Sequence, residues 1–255
     1  MVDIVQAVNS CDIAAFKGVG SQTTKSDKRS LLLVQQFVRR KSSSYIYLEI
    51  GSHLGGTILP HFRDPLCVLI YSIDKRPLSQ PDERFRVYEY EGNSTQRMLD
   101  NIAKAEGGKS LDRIVTYDAC TSSLDKADIV SEPDLCFIDG EHTNRAAYRD
   151  FKFCLSTCGN DALIVFHDAN LIFDAIKKSN VFLKKKNILF SGQLLPDSIY
   201  VIALNNSANV FSSFIEGQVM NESDKFSEFK RELGSVRSSQ PLMMKCKNFL
   251  KTYFK

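Results

Sequence analysis

The stretch YIYLEIGSHLGGT, residues 45–57, decides how the chain is read. Four of its first six residues are β-branched or aromatic, as a buried strand requires, and Glu49 stands near the strand end. A glycine turn follows and opens a helix. A strand running through such a turn into a helix N-terminus holds nucleotide-like ligands, because glycines admit the ligand to the backbone and the turn donates N–H groups. A dinucleotide fingerprint needs G-x-G-x-x-G, with its second glycine making room for pyrophosphate. Here Gly51 is followed by Ser52, His53 and Leu54 before Gly55 and Gly56, so that second glycine is replaced by a histidine. A carboxylate this close would repel a phosphate and suit a ligand carrying an ammonium or another cationic centre.

Downstream, the same grammar repeats. Residues 67–74 (CVLIYSID) form a second strand ending on Asp74, about 20 residues after the turn, where an acid accepts from ribose hydroxyls in nucleoside-binding units. Strands at 113–117, 134–138 and 162–166 deliver Asp118-Ala119, then Asp139-Gly140-Glu141-His142, then His167-Asp168. Helices are expected at 94–106 and 143–158, and an irregular loop at 75–93. Near-continuous apolar strands alternating with helices predict a doubly wound, mostly parallel α/β sheet of the Rossmann type. Glu49, Asp74, Asp118, Asp139 and Asp168 all fall at the carboxyl ends of strands, the edge where open α/β sheets bind ligands. The strands at 188–190 and 198–204 are too close in sequence for a parallel crossover and must pair as an antiparallel hairpin.

Upstream, residues 1–44 read as a helical extension. Leu31–Arg40 forms a covering helix with Ser26 or Asp27 as its cap. Residues 45–204 form the ligand-binding domain, and 205–255 a helical, lysine-rich tail. The last stretch, LMMKCKNFLKTYFK, permits docking on the chain's own domain, a homo-oligomer contact or attachment to a membrane surface, and the first is favoured.

A net charge of +3 is too weak to argue for a nucleic-acid partner. Seven cysteines, an odd number set mostly in apolar runs, read as buried thiols in a reducing compartment, which makes the expected location cytoplasmic. No run approaches the roughly 18 apolar residues of a membrane span, and the start has no leader-like pattern.

The order ExGxxxGG, Asp74, DA, DGEH and HD resembles class I S-adenosylmethionine-dependent methyltransferases. It looks closest to the metal-assisted sugar and macrolide O-methyltransferases, and the likeness spans about residues 45–204. It implies a seven-stranded sheet whose last strand is antiparallel. It also implies that Glu49, Gly51, Ser52 and Gly55 surround the methionine end of S-adenosylmethionine, that Asp74 holds the ribose, and that Asp118 and Ala119 lie at the adenine. The acceptor it implies is a sugar, glycan or small hydroxylated metabolite.

Such a hydroxyl is a poor nucleophile until its proton is lost, either to a base or through the pKa-lowering effect of a metal. Asp139 and Asp168 end neighbouring strands and are candidate ligands for Mg²⁺ or another divalent cation, with His167 as a softer third ligand. Asp139 also faces the cofactor's methyl end. His142, three residues on, is the candidate general base. Two alternatives stay open: a metal-independent enzyme that uses His142 alone, and an inactive cofactor-binding scaffold. His53 and His61 read as structural or peripheral.

Overall fold

The computed structural model describes residues 2–239. After α1 (Ile4–Asn9) and α2 (Lys25–Lys41) come β1 (Tyr45–Ile50), α3 (Ile58–Arg63) and β2 (Cys67–Ile73). A short pair, β3 (Ser79–Pro81) and β4 (Val87–Glu89), precedes α4 (Thr95–Ala105), β5 (Ile114–Tyr117) and β6 (Leu135–Ile138). The chain continues through α5 (Asn144–Thr157), β7 (Leu163–Phe166), α6 (Ala169–Lys185), β8 (Phe190–Leu194) and β9 (Tyr200–Leu204), then α7 (Asn206–Phe214) and α8 (Glu222–Ser238).

Seven strands form one sheet in the order β5-β2-β1-β6-β7-β9-β8. The first five are parallel, and β9 runs antiparallel to both β7 and β8. This is the Rossmann-like, mostly parallel sheet with a closing antiparallel hairpin that the strand pattern predicts. Alternate side chains of each strand enter two separate cores. Tyr47, Phe137, Val165 and Val201 pack under α2, α3, α4 and α7, together with Val34, Leu59, Ile102 and Phe211. Leu48, Cys136, Ile164 and Ile202 pack under α5, α6 and α8, together with Phe151, Ile176 and Phe229. Burial on both faces explains why these strands read as unbroken apolar runs.

Three local expectations are corrected. Residues 75–93 are not merely a loop, because β3 and β4 pair antiparallel within them. α2 is capped by Thr24, whose hydroxyl accepts from the Asp27 N–H, rather than by Ser26 or Asp27. Thr24 lies about two turns ahead of the apolar run, and Asp27 in the first turn of α2 is buried. β8 begins at Phe190, two residues later than the apolar pattern suggests. The basic segment at the carboxyl end lies outside the described residues. Among the described residues the six cysteines are free thiols, and no helix is long and apolar enough to cross a membrane.

Gly51 ends β1 at φ +92°, where a Cβ would sit 2.1 Å from the Asp139 carbonyl oxygen. Only glycine lets the turn after β1 touch the end of β6, and that contact brings Asp139 against the glycine turn.

Candidate active site

At the carboxyl edge of the sheet, two narrow cavities lie on either side of Asp74. One, of about 40 Å³, is lined by Gly51, Ser52, His53, Gly56, Thr57, Asp139 and His142, and is roofed by the loop 20–23. The other, of about 30 Å³, is lined by Lys75, Ala119, Cys120, Thr121, Arg149 and Asp150. Both include Gly51, Asp74, Gln80 and Gly140, so they are two ends of one crevice pinched at Asp74.

The predicted residues divide by position. Ser52 lines the first cavity, with its hydroxyl 2.6 Å from that of Ser72. Gly55 lines neither cavity. At φ +86° it lets α4 approach, since a Cβ there would meet Ile102 at 2.9 Å. Asp74 accepts from the backbone N–H groups of His53 at 3.0 Å and Arg76 at 2.8 Å, and from the Arg76 guanidinium at 3.3 Å. Ala119 lines the second cavity, whereas the Asp118 carboxylate is turned outward to the Thr95 hydroxyl. Asp150, which the sequence reading did not single out, takes the inner position there, bonded by Thr121 and Arg149.

Glu49 lies beneath the turn, fully buried, and lines neither cavity. Its carboxyl accepts from the Tyr47 hydroxyl at 2.7 Å and from Thr57 at 2.5 Å, so it acts on the first cavity through Thr57. Burial pushes its pKa up to about 8, against the opposing pull of the two hydroxyl donors. A carboxyl raised in the fold adds stability that is complete below its unfolded value near 4.5 and is lost as pH rises through about 8. Glu49→Gln removes this dependence. Urea unfolding of the variant between pH 5 and 8 should show a slope smaller than wild type by up to about 1.4 kcal/mol per pH unit. Equal slopes would mean that Glu49 is charged in the fold.

Beyond the first cavity the edge carries a compact polar cluster. Asp139, His142, His167 and Asp168 each bring one ligand-type atom within 4.8 Å of the others. His142 follows the β6 turn, ahead of the Thr143 cap of α5, and its two ring nitrogens face Asp139 Oδ1 at 3.4 Å and Asp168 Oδ2 at 3.2 Å. His167 ends β7, with Nδ1 2.9 Å from Asp139 Oδ1 and 3.5 Å from Asp168 Oδ2. Asp168 adopts the left-handed conformation at φ +52° and does not cap α6, which leaves its carboxylate free for the cluster. Such backbone strain costs on the order of 1 kcal/mol and is characteristic of functional sites.

Electrostatics tie the four together. Burial pulls both imidazoles down, but the Asp139 and Asp168 carboxylates outweigh it, holding His142 above its ordinary value and His167 well above. Burial in turn pushes the carboxyls up, and the imidazoles reverse this, leaving both acids below the usual carboxylate range. The carboxylates thus favour the protonated imidazoles, and the imidazoles favour the ionised carboxylates.

Behind His167 stands Asp27 of α2. Its Oδ2 lies 3.4 Å from His167 Nε2, a buried atom with no hydrogen-bond partner among the described residues. Asp27 Oδ1 is fixed by the backbone N–H and the hydroxyl of Ser198. A second clamp holds the His142 turn: the Glu83 N–H donates to the His142 carbonyl, and Glu83 is gripped by Arg237 of α8. His61 is structural. It stacks on Tyr47 at 3.8 Å between ring centres, and burial pulls its pKa down to about 3.

Comparison with known proteins bears on the fold. Residues 48–169 match the model of a methyltransferase domain family. No curated protein matches the chain in sequence. Among solved structures, the fold is similar to an O-methyltransferase from Bacillus cereus in complex with SAH (12% identity, TM-score 0.50, 79% of this chain and 88% of that one). It is similar to TomG from Streptomyces achromogenes in complex with SAM (11%, 0.50, 81% and 91%) and to the O-methyltransferase NovP (10%, 0.52, 68% and 76%). At these identities the likeness is one of fold. Residues 48–169 thus match a methyltransferase domain, set in the fold that these S-adenosylmethionine- and SAH-bound structures share.

Proposed function

We propose that the protein transfers a methyl group to a hydroxyl of a sugar, glycan or small hydroxylated metabolite, with a divalent cation at the Asp139–Asp168 cluster. The observation that carries this reading is the convergence of two carboxylates and two imidazoles next to the glycine turn.

The crevice suits S-adenosylmethionine in the order of its groups. Asp74, at the waist, is placed for the ribose, and it brings one lone pair beyond the three used by His53 and Arg76. The cavity beside Gly51, Ser52 and Thr57 suits the methionine end, and the cavity beside Ala119 suits the adenine. Asp118, turned outward, would reach the adenine only by leaving Thr95. Cavities of a few tens of Å³ hold a water or two, whereas ligand sites of this size class need at least about 300 Å³. Binding is therefore coupled to displacement of the loop 20–23 and of Gln80 and Tyr90, which close the first cavity. S-adenosylmethionine supplies a methyl group activated on sulfonium for in-line attack.

The cluster also suits a cation. Ligand atoms held about 2.1 Å from an ion lie about 3 Å apart when adjacent and about 4.2 Å when opposite. His167 Nδ1 lies 2.9 Å from Asp139 Oδ1 and 3.5 Å from Asp168 Oδ2, in that range, and all the ligand atoms lie within 4.8 Å of one another. Asp139, Asp168 and His167 Nδ1 would hold the ion, with Asp27 behind His167 as the carboxylate that orients a ligating imidazole. A mixed nitrogen and oxygen set admits Mn²⁺ or a softer metal as readily as Mg²⁺. A bound cation lowers the pKa of a hydroxyl it coordinates. His142, facing both carboxylates, would take the acceptor's proton.

A second reading has its own support. His142 and His167 already pair with the carboxylates without a metal, so a metal-free enzyme would use the same residues. Asp168→Ala separates the two. The cation reading expects loss of Mn²⁺ binding and of methyl transfer to hydroxylated acceptors, with S-adenosylhomocysteine affinity within about threefold of wild type. Transfer that persists in wild type after chelation favours the metal-free reading. Loss of S-adenosylhomocysteine binding in the variant would refute a separate metal role for Asp168.

A further inference from the structure

A concavity larger than either end of the crevice lies outside it. It is a groove of about 940 Å³ between the β3–β4 segment and the exposed faces of α5 and α6. It shares Lys75, Glu141 and Arg149 with the second cavity, and Glu141 is the residue before His142. All three of its walls belong to elements that build the site. α5 starts just after His142, α6 just after Asp168, and the β3–β4 loop carries Glu83, which grips the His142 turn.

Five cations line the groove against two acids, Glu141 and Asp174. Lys75 is paired with Glu141 at 2.9 Å and Arg149 with Asp150 at 3.0 Å. Arg145, Lys152 and Lys178 are exposed and, among the described residues, have no carboxylate partner. A solvated helix face would spread such charges apart. Here Lys152 and Lys178, from different helices, converge on one ring: their ammonium nitrogens lie 5.3 and 4.2 Å from the centre of Tyr148. The π-face attracts each cation, but it does not cancel the repulsion between them. An anion between the two helices would. S-adenosylmethionine carries no phosphate, and its carboxylate belongs with the methionine end at the first cavity, which shares no residue with the groove, so an anion held here belongs to another ligand.

We propose that this groove binds the phosphate of the methyl acceptor, so that the substrate is a phosphorylated sugar or a sugar carried on a nucleoside diphosphate. The assignment rests on the methyltransferase reading above. Phosphate held by Arg145, Lys152 and Lys178 anchors the acceptor remotely from the reacting hydroxyl, which then reaches the Asp139–His142 cluster past the β3–β4 loop. Remote binding of this kind positions a substrate for reaction.

The test uses the full chain and inorganic pyrophosphate, titrated calorimetrically at about 0.15 M salt. S-adenosylhomocysteine is titrated into the same samples, and a single-stranded oligonucleotide is added as a competitor. The expected result is saturable pyrophosphate binding. Arg145→Gln, Lys152→Gln and Lys178→Gln combined should weaken it about thirtyfold, roughly a factor of three per charge. The same variant should bind S-adenosylhomocysteine as wild type does, which also shows that it is folded. The proposal is overturned if wild type binds S-adenosylhomocysteine but not pyrophosphate, or if the triple variant binds pyrophosphate unchanged. Oligonucleotide binding that pyrophosphate does not displace would reassign the groove to nucleic acid. Pyrophosphate binding without any S-adenosylhomocysteine binding would remove the methyl-transfer reading, and the acceptor assignment with it.

Discussion

Asp139→Asn is expected to reduce methyl transfer by at least about a thousandfold while leaving S-adenosylhomocysteine affinity within about threefold of wild type. Asp139 Oδ1 faces both imidazoles, His167 at 2.9 Å and His142 at 3.4 Å, so one oxygen sets the protonation of the base and the geometry of the cation site. Asparagine keeps the shape but loses the charge. His142 then keeps only Asp168 as a carboxylate partner, and the proposed cation loses one of two anionic ligands. General base catalysis alone is worth a factor of about 10² to 10⁴, and loss of a metal-ligating charge adds to that. Asp139 also borders the methionine-side cavity, so the binding readout matters as much as the rate. A fall in S-adenosylhomocysteine affinity matching the fall in rate would make Asp139 a cofactor residue and not a catalytic one. Residual transfer above about a tenth of wild type would rule out both roles.

Asp74→Ala should weaken S-adenosylhomocysteine binding about a hundredfold, with Mn²⁺ affinity unchanged. With three of its roughly four lone-pair sites taken by His53 and Arg76, Asp74 can accept one ribose hydroxyl, a charge-assisted hydrogen bond worth roughly 1.5–3 kcal/mol, and the upper end of that range is the expected loss. Asp74 also holds Arg76 and the His53 N–H. Asp74→Asn keeps one carbonyl acceptor for that scaffold and should fall in between, near tenfold. Affinity unchanged in both variants would remove the ribose assignment. A loss that extends to Mn²⁺ would point to collapse of the turn, not to a lost contact.

The parts of the site legible in the sequence are those carried by strand ends. A parallel strand buried on both faces leaves an apolar run, and the one or two residues after it reach the ligand edge, so Asp74, Asp139, His167 and Asp168 are found by counting. The departure of Gly51–Gly55 from a dinucleotide fingerprint is equally local. Asp27 was out of reach for the opposite reason. Its sequence context, Thr-Lys-Ser-Asp ahead of an apolar run, signals a helix start, and nothing nearby marks that it meets His167, 140 positions away. The closure of the crevice by the loop 20–23 is likewise a product of tertiary packing: Gly56 and the Gly20 carbonyl meet so closely that a Cβ on Gly56 would lie 2.4 Å from that oxygen. Glu49 shows the limit of counting by strand position. It sits one residue before the end of β1, so alternation sends its side chain into the core beneath Thr57 and not into the crevice. Asp118 follows its strand as the pattern requires, but Thr95 draws its carboxylate outward, and the inner position falls to Asp150 on α5.

The most direct test of the central claim is calorimetric titration of the full chain with S-adenosylhomocysteine, with Mg²⁺, with Mn²⁺ and after chelation. The expected result is micromolar, one-to-one binding under all conditions, together with separate saturable binding of the divalent cation that releases protons as His142 and His167 give up their charge. Absence of S-adenosylhomocysteine binding under every condition would contradict the account and leave the fold without its cofactor.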